Sequence, residues 1–141
     1  APIKITFRYE IPDYALKGEG EMFFRPMVMN NLYNQVRSYI WIDTSVENRK
    51  YGFKDACSRL VELDETVQLP AGYKLVSAVK DETMQGVGAD FEGSLVQKGN
   101  KVLLHNRLAL KKRVYEASDW ESFRNAVNAH KAYGEYLVIK K

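Results

Sequence analysis

The sequence predicts a mainly β fold, an antiparallel two-sheet β-sandwich with one short helix near the C-terminal end. Three observations support this fold class. Residues 100–115 alternate as one long strand that needs a partner on each side, and several other segments alternate with the same period of two. Only residues 118–133 show a helical period, so strands do not alternate with helices and a parallel βαβ sheet is not expected.

The segment at residues 100–115 is the central strand of this prediction. Its even positions are mostly aliphatic and its odd positions include His105 and Arg107, so one face is expected to be buried and the other wet. Asn106 and Lys112 interrupt the aliphatic face, which predicts a bulge or the end of the strand near them. Residues 98–100 are typical of a hairpin turn leading into the strand.

The remaining strands are predicted from the same alternation, which gives seven or eight strands in total. They lie at residues 3–11, 21–29, 36–42, 59–69, 73–79, 87–95 and 135–140. Pro26 cannot donate a ladder hydrogen bond, so it predicts an edge strand or a bulge. The stretches 13–20, 44–48 and 80–86 are polar and predict loops, and residues 69–73 predict a tight turn.

The helix at 118–133 is predicted to begin with a capping box, in which Ser118 is the N-cap and Glu121 stands three residues later. Gly134 is the expected stop. One face recurs at spacings of three and four: Trp120, Phe123, Val127 and His130. We expect this face to pack on the sandwich, with His130 half-buried.

Composition predicts one globular domain and argues against several function classes. The chain has 141 residues, of which 45% are hydrophobic, and a net charge of +3, too mild for a nucleic-acid binder. The single Cys57 excludes an internal disulfide, and no apolar run is long enough to span a bilayer. No signal peptide is visible, and Ala1-Pro2-Ile3 leads straight into a strand, which predicts a domain cut from a longer parent.

A thiol-enzyme site could in principle be built from Cys57, His105 and Asp119, which occur in the chain order of papain-like and transglutaminase-like enzymes. Their local contexts argue against it. Cys57 does not precede a helix that could lower its pKa, and Asp119 is explained as a first-turn acid of the helix. The order of the three residues is therefore interpreted as coincidence, and a small thiol enzyme is kept only as an alternative that is not favoured.

Metal and nucleic-acid sites are not indicated by the sequence. His105 and His130 lie on different elements, and no cysteine or carboxylate shows ligand spacing, so no cofactor is expected. The basic run at residues 111–113 lacks the interleaved aromatic residues of a base-stacking platform. It is interpreted as a solvated strand face.

Aromatic residues form the best candidate interaction surface. Tyr39, Trp41, Tyr51 and Phe53 stand in the middle of the chain and are interpreted as core or interdomain contacts. The alternative is a groove that binds a glycan or a peptide, since exposed aromatic rings stack on such ligands.

The order of features from residue 49 onward resembles the C-terminal β-sandwich domain of bacterial, Bacteroidetes-type transglutaminase-like proteins. The features are Arg-Lys-Tyr-Gly-Phe at 49–53, Leu-Pro-Ala-Gly-Tyr at 69–73, the hairpin near Gly99, Val114-Tyr115, the helix at 118–133 and the strand at 136–140. Gly52 is a departure, because proline is expected there. The resemblance covers about two thirds of the chain, and the first 45 residues do not match.

This resemblance implies an immunoglobulin-like or transglutaminase C-terminal-like sandwich that is non-catalytic, because the catalytic triad of such parents lies in a preceding papain-type core. The expected role is to pack on that core and support it. The expected partners are neighbouring domains of the same chain. Parents of this kind are exported, which implies a periplasmic or cell-surface location.

Overall fold

The computed structural model describes residues 10–28, 42–76 and 81–141. Ten strands run Leu16–Lys17 (β1), Glu21–Phe24 (β2), Phe53–Lys54 (β3), Arg59–Gln68 (β4), Lys74–Leu75 (β5), Glu82–Gln85 (β6), Ala89–Lys98 (β7), Lys101–Leu110 (β8), Val114–Tyr115 (β9) and Leu137–Lys140 (β10). A 3₁₀ turn at Ala117–Asp119 leads into the helix Trp120–Ala132 (α1). The mainly β, antiparallel, sandwich-like fold is thus confirmed. No helix within the described ranges is long and apolar enough to cross a membrane.

The largest sheet has the strand order β4-β8-β7-β6, and β8 is its organising strand. All ten residues of β8 pair with β4 on one side and with β7 on the other, as the long alternating segment predicts. Its even positions are buried: Val102, Leu104, Asn106, Leu108 and Leu110. The hairpin turn before it is confirmed, because Gly99 and Asn100 connect the paired residues Lys98 and Lys101, and Gly99 has φ +60°.

The bulge predicted at Asn106 is wrong, because Asn106 pairs in regular register with both neighbouring strands. The strand instead ends at Leu110, near Lys112, which was the alternative. The chain then turns, and β9 pairs with β3 as a separate two-stranded sheet.

A second four-stranded sheet has the order β1-β2-β10-β5. Side chains from both large sheets join one hydrophobic core, to which this sheet contributes Phe24, Leu137 and Ile139. The terminal strand is thus confirmed as β10. The predicted turn at 69–73 is confirmed as well, with Gly72 at φ +83°.

Several strand boundaries differ from the prediction. β2 ends at Phe24, before Pro26, and pairs on both sides, so Pro26 marks the end of the strand rather than an edge or a bulge. Two short edge strands, β1 and β6, lie where loops were predicted, because exposed edge strands need no apolar alternation. Val87 is exposed and precedes β7. The predicted strands at 3–11 and 36–42 lie almost wholly outside the described residues.

The capping box lies two residues earlier than predicted, at the start of the 3₁₀ turn that leads into α1. Glu116 is the N-cap, and its backbone N–H donates to Asp119 Oδ2 at 2.9 Å. Ser118 lies inside the 3₁₀ turn instead. The helix ends just before Gly134, whose N–H donates to the Lys131 carbonyl at 3.0 Å. The predicted apolar face is confirmed, since Trp120, Phe123 and Val127 are all buried.

A buried polar contact joins α1 to the large sheet. His130 is 0% exposed rather than half-buried, and its Nδ1 donates a hydrogen bond to Asn106 Oδ1 on the buried face of β8. Burial lowers the pKa of His130 to about 3, so the imidazole is neutral near pH 7. The residue that interrupts the aliphatic pattern of β8 therefore provides the sheet's polar partner for the helix.

We expect His130 to remain neutral in the folded protein well below its ordinary pKa. Between pH 6.5 and about 3 the unfolded chain binds a proton at this position and the folded chain does not. His130 should therefore reduce the free energy of unfolding by about 1.4 kcal/mol per pH unit as pH falls through that range. Nitrogen-15 NMR across this pH range measures the protonation of the two imidazoles, and the variant His105→Gln assigns their signals. Protonation of His130 in the folded state above pH 5 would contradict it.

Gly93→Ala is expected to destabilise the fold. A Cβ at residue 93 would lie 2.5 Å from Tyr133 Cζ and 2.7 Å from Phe91 Cζ, both in the packed core. Overpacking of this kind costs about 1–3 kcal/mol, which urea denaturation measures. Ser94→Ala, which removes a hydroxyl from the other face of β7, is the matched control and should change stability by less than about 0.5 kcal/mol.

Candidate functional site

Four aromatic rings form a cluster between β3, β9 and the start of α1. Phe53 stacks on Tyr115 with ring centroids 4.6 Å apart, and it meets Trp120 and Phe123 edge-on at 5.3 and 5.0 Å. Arg49 lies over this cluster, with its guanidinium carbon 4.3 Å from the Trp120 ring centroid. Phe53, which is itself half-buried, therefore acts mainly as a packing residue of a cluster whose other three rings are buried.

Tyr51 lies outside the aromatic cluster and is 74% exposed. Val114, on β9, is 63% exposed and pairs with Lys54 across the small sheet. The Nζ of Lys50 lies 5.8 Å from the Tyr51 ring centroid. We call these four residues, Lys50, Tyr51, Lys54 and Val114, the β3–β9 surface. The other two predicted aromatic residues, Tyr39 and Trp41, lie outside the described residues.

Gly52 lets the two strands of this surface approach closely. A Cβ at position 52 would lie 2.6 Å from the backbone oxygen of Tyr115, which is too close for any side chain without a shift of the backbone. The glycine that departs from the expected proline thus fits the close contact between residue 52 and β9. The resulting position of the chain leaves the adjacent Tyr51 ring in solvent.

The structure does not bring Cys57, His105 and Asp119 together. Cys57 is exposed and precedes β4, whose residue Arg59 pairs with Leu110. His105 pairs with Asp64, five residues along β4, which places it about 16 Å from that end. His105 Nδ1 lies 2.8 Å from Asp64 Oδ1, and Cys57 is out of its hydrogen-bond reach.

Asp119 has a structural environment that accounts for its burial. Its carboxylate accepts hydrogen bonds from Lys112 Nζ at 2.8 and 2.9 Å and from the Glu116 backbone N–H. The hydrogen bond from Lys112 is the main cause that holds the pKa of Asp119 below its usual value of 3.8, against the opposing effect of burial. The carboxylate therefore ties the end of β8 to the start of α1.

The outer face of the large sheet gathers three potential metal ligands that sequence reasoning missed. Glu62 and Asp64 alternate onto one face of β4, and His105 lies opposite Asp64 on β8. One donor atom from each lies within 4.8 Å of the others. The alternation of β4 indicates a shared face for the two acids, but only the strand register places the imidazole beside them.

An open cleft of about 670 Å³ lies between the β6–β7 turn and the first turns of α1. Its walls include Gln85, Val87, Ser122 and Asn125, together with Lys112, which is already bonded to Asp119. Polar groups line the cleft, but no nucleophile with an adjacent base is among its lining residues.

Asp119→Asn is expected to lower stability by about 2 kcal/mol at pH 7, because it removes a charged partner of Lys112 and weakens the cap. Since the pKa of Asp119 is depressed in the folded state, the stabilisation is complete above its ordinary pKa of 3.8. It is lost as pH falls through the lower folded value, so the difference between the two proteins should shrink there. Urea denaturation across pH measures this, and the exposed Glu121→Gln should show less than about 0.5 kcal/mol.

The chain matches a known protein family over most of its length. Residues 20–138 match the family described as a domain of unknown function with a solved structure, DUF3858. No curated protein matches the sequence significantly. A crystal structure described as a "putative protease" from Parabacteroides distasonis is similar in fold, with a TM-score of 0.56 and 16% sequence identity. The similarity covers 70% of this chain and 20% of that chain. Because the family match spans most of the sequence, the chain belongs to the DUF3858 family.

Proposed function

We propose that this chain is a non-catalytic accessory domain of a longer polypeptide, and that it packs on a neighbouring domain through the β3–β9 surface. The observation that carries the proposal is Tyr51, an aromatic side chain left 74% exposed beside a rigid aromatic cluster. A domain of this size is compatible with a larger parent, since it covers about a fifth of the similar crystal structure's chain.

The chemistry of the β3–β9 surface suits an interdomain contact. Tyrosine is enriched among residues that dominate binding energy, because its ring buries a large area at a small entropic cost. Contacts between domains of one chain are modest in area and fairly polar, which fits one aromatic and one aliphatic residue among cations.

The charges around Tyr51 favour an acidic partner. Lys50, Lys54 and the adjacent Arg113 form no salt bridge with a carboxylate among the described residues. A neighbouring domain that places Asp or Glu around an apolar pocket would complement them and fix the orientation of the contact.

The parent is proposed to be a Bacteroidetes-type, transglutaminase-like protein with a papain-type thiol hydrolase core, located in the periplasm or on the cell surface. The motifs at 49–53 and 69–73 support this through family resemblance. The description of the similar structure as a protease is compatible with a hydrolase parent. The separation of Cys57 from His105 supports catalysis by another domain rather than by this one.

Tyr51→Ala and Phe53→Ala are expected to separate docking from folding. In the chain alone, Tyr51→Ala should change the free energy of unfolding by less than about 0.5 kcal/mol, because its ring is exposed. Phe53→Ala should lower it by about 3 kcal/mol, because its ring packs in the cluster. Urea denaturation of both variants measures this difference.

In the longer parent polypeptide, amide hydrogen exchange tests the docking itself. Residues 50–54 should exchange more slowly in the parent than in the isolated chain, and Tyr51→Ala should remove most of that protection. Leu16→Ala, which truncates another exposed apolar residue on β1, is the control and should leave the protection unchanged. Equal exchange of residues 50–54 in both proteins would overturn the proposed surface.

A further inference from the structure

We infer that Glu62, Asp64 and His105 form a binding site for a transition-metal dication of the zinc type on the outer face of the large sheet. The three side chains lie on two adjacent strands, and one donor atom from each lies within 4.8 Å of the other two. The site is separate from the β3–β9 surface and does not depend on the proposed function.

The strand register sets the backbone positions of the three ligand residues without any bound metal. Glu62 and Asp64 are two residues apart on β4 and therefore project from the same face. β4 and β8 pair without interruption over ten residues, and β7 holds β8 from the other side. A metal would therefore need only side-chain rotations, since the backbone that carries the ligands is set by the core of the sheet.

The distances between donor atoms are close to what a metal requires. Zinc bonds of about 2.0–2.1 Å in a tetrahedral arrangement place neighbouring ligand atoms about 3.3 Å apart. His105 Nδ1 and Asp64 Oδ1, now 2.8 Å apart, would have to separate by about 0.5 Å. The exposed Glu62 side chain would have to move inward by about 1.5 Å, starting from the 4.8 Å limit. Water would occupy the remaining position.

The donor set selects the class of metal. One imidazole nitrogen with two carboxylates suits Zn²⁺, Co²⁺ or Ni²⁺, whereas Ca²⁺ and Mg²⁺ prefer sites made of oxygen ligands. The local charge is compatible with a dication. Arg107 pairs opposite Glu62, but Glu92 pairs opposite Arg107 from the other side, so the two carboxylates of the site are not outnumbered by cations.

Isothermal titration calorimetry with zinc chloride tests the site. The protein should be tag-free and carry Cys57→Ser, because a polyhistidine tag or the exposed thiol would bind zinc independently. We expect one saturable site per chain. His105→Gln, Asp64→Asn and Glu62→Gln should each weaken zinc binding about tenfold or more.

The matched control is Glu92→Gln, which removes one negative charge from the same face without removing a ligand. Its zinc affinity should stay within about twofold of that of the Cys57→Ser protein without the Glu92→Gln change. An equal concentration of Mg²⁺ should not displace zinc. In NMR spectra, the His105 imidazole should shift on zinc addition and the buried His130 imidazole should not.

Three outcomes would overturn the site: no saturable zinc binding, binding that survives His105→Gln, or displacement by Mg²⁺, which would indicate general attraction to an acidic surface. Urea denaturation of each variant shows whether it is folded. Asp64→Asn alters a 75% exposed side chain, so it keeps the test valid if His105→Gln is unstable.

Discussion

The burial of one face of β8 beneath α1 is the constraint on which the remaining structure depends. β8 is paired along its whole length on both sides, so it cannot shift without breaking two ladders. A shift of one residue would bring His105 and Arg107 against the helix and expose the aliphatic positions. The hydrogen bond between Asn106 and His130 further favours the observed register of β8, because only in that register do the two buried polar groups face each other.

The same helix links the core to the surface. At its C-terminal end, Tyr133 occupies the space that Gly93 leaves on β7. At its N-terminal end, Trp120 and Phe123 enter the aromatic cluster with Phe53, and Asp119 holds Lys112 at the end of β8. The aromatic cluster and the Asp119–Lys112 ion pair, both at the N-terminal end of α1, hold the small β3–β9 sheet against the helix and the large sheet. Tyr51 is consequently exposed on a rigid support, which would lower the entropic cost of the proposed docking.

The sequence predicts correctly those elements in which one face is buried and the other exposed, because burial of one face produces a periodic apolar pattern. The alternation at β8 and the three-and-four spacing of Trp120, Phe123 and Val127 depend on one face being buried, which periodicity detects. An edge strand such as β1 carries no such signal, because both of its residues are exposed. Asn106 was misinterpreted for a related reason. A buried asparagine and a bulge look alike in sequence until the partner residue, His130, is placed opposite it.

The two candidate sites, the β3–β9 surface and the group of Glu62, Asp64 and His105, also differ in how far the sequence alone reveals them. Tyr51 can be recognised in the sequence as an aromatic residue. Glu62, Asp64 and His105 come together only because β4 pairs with β8, which brings Asp64 beside a residue 41 positions later in the chain. His105 lies about 16 Å from the end of β8 that leads to β9. A partner seated on the basic β3–β9 surface would therefore leave the acidic side chains around His105 free. Docking and metal binding then become independent properties, so loss of one should leave the other intact.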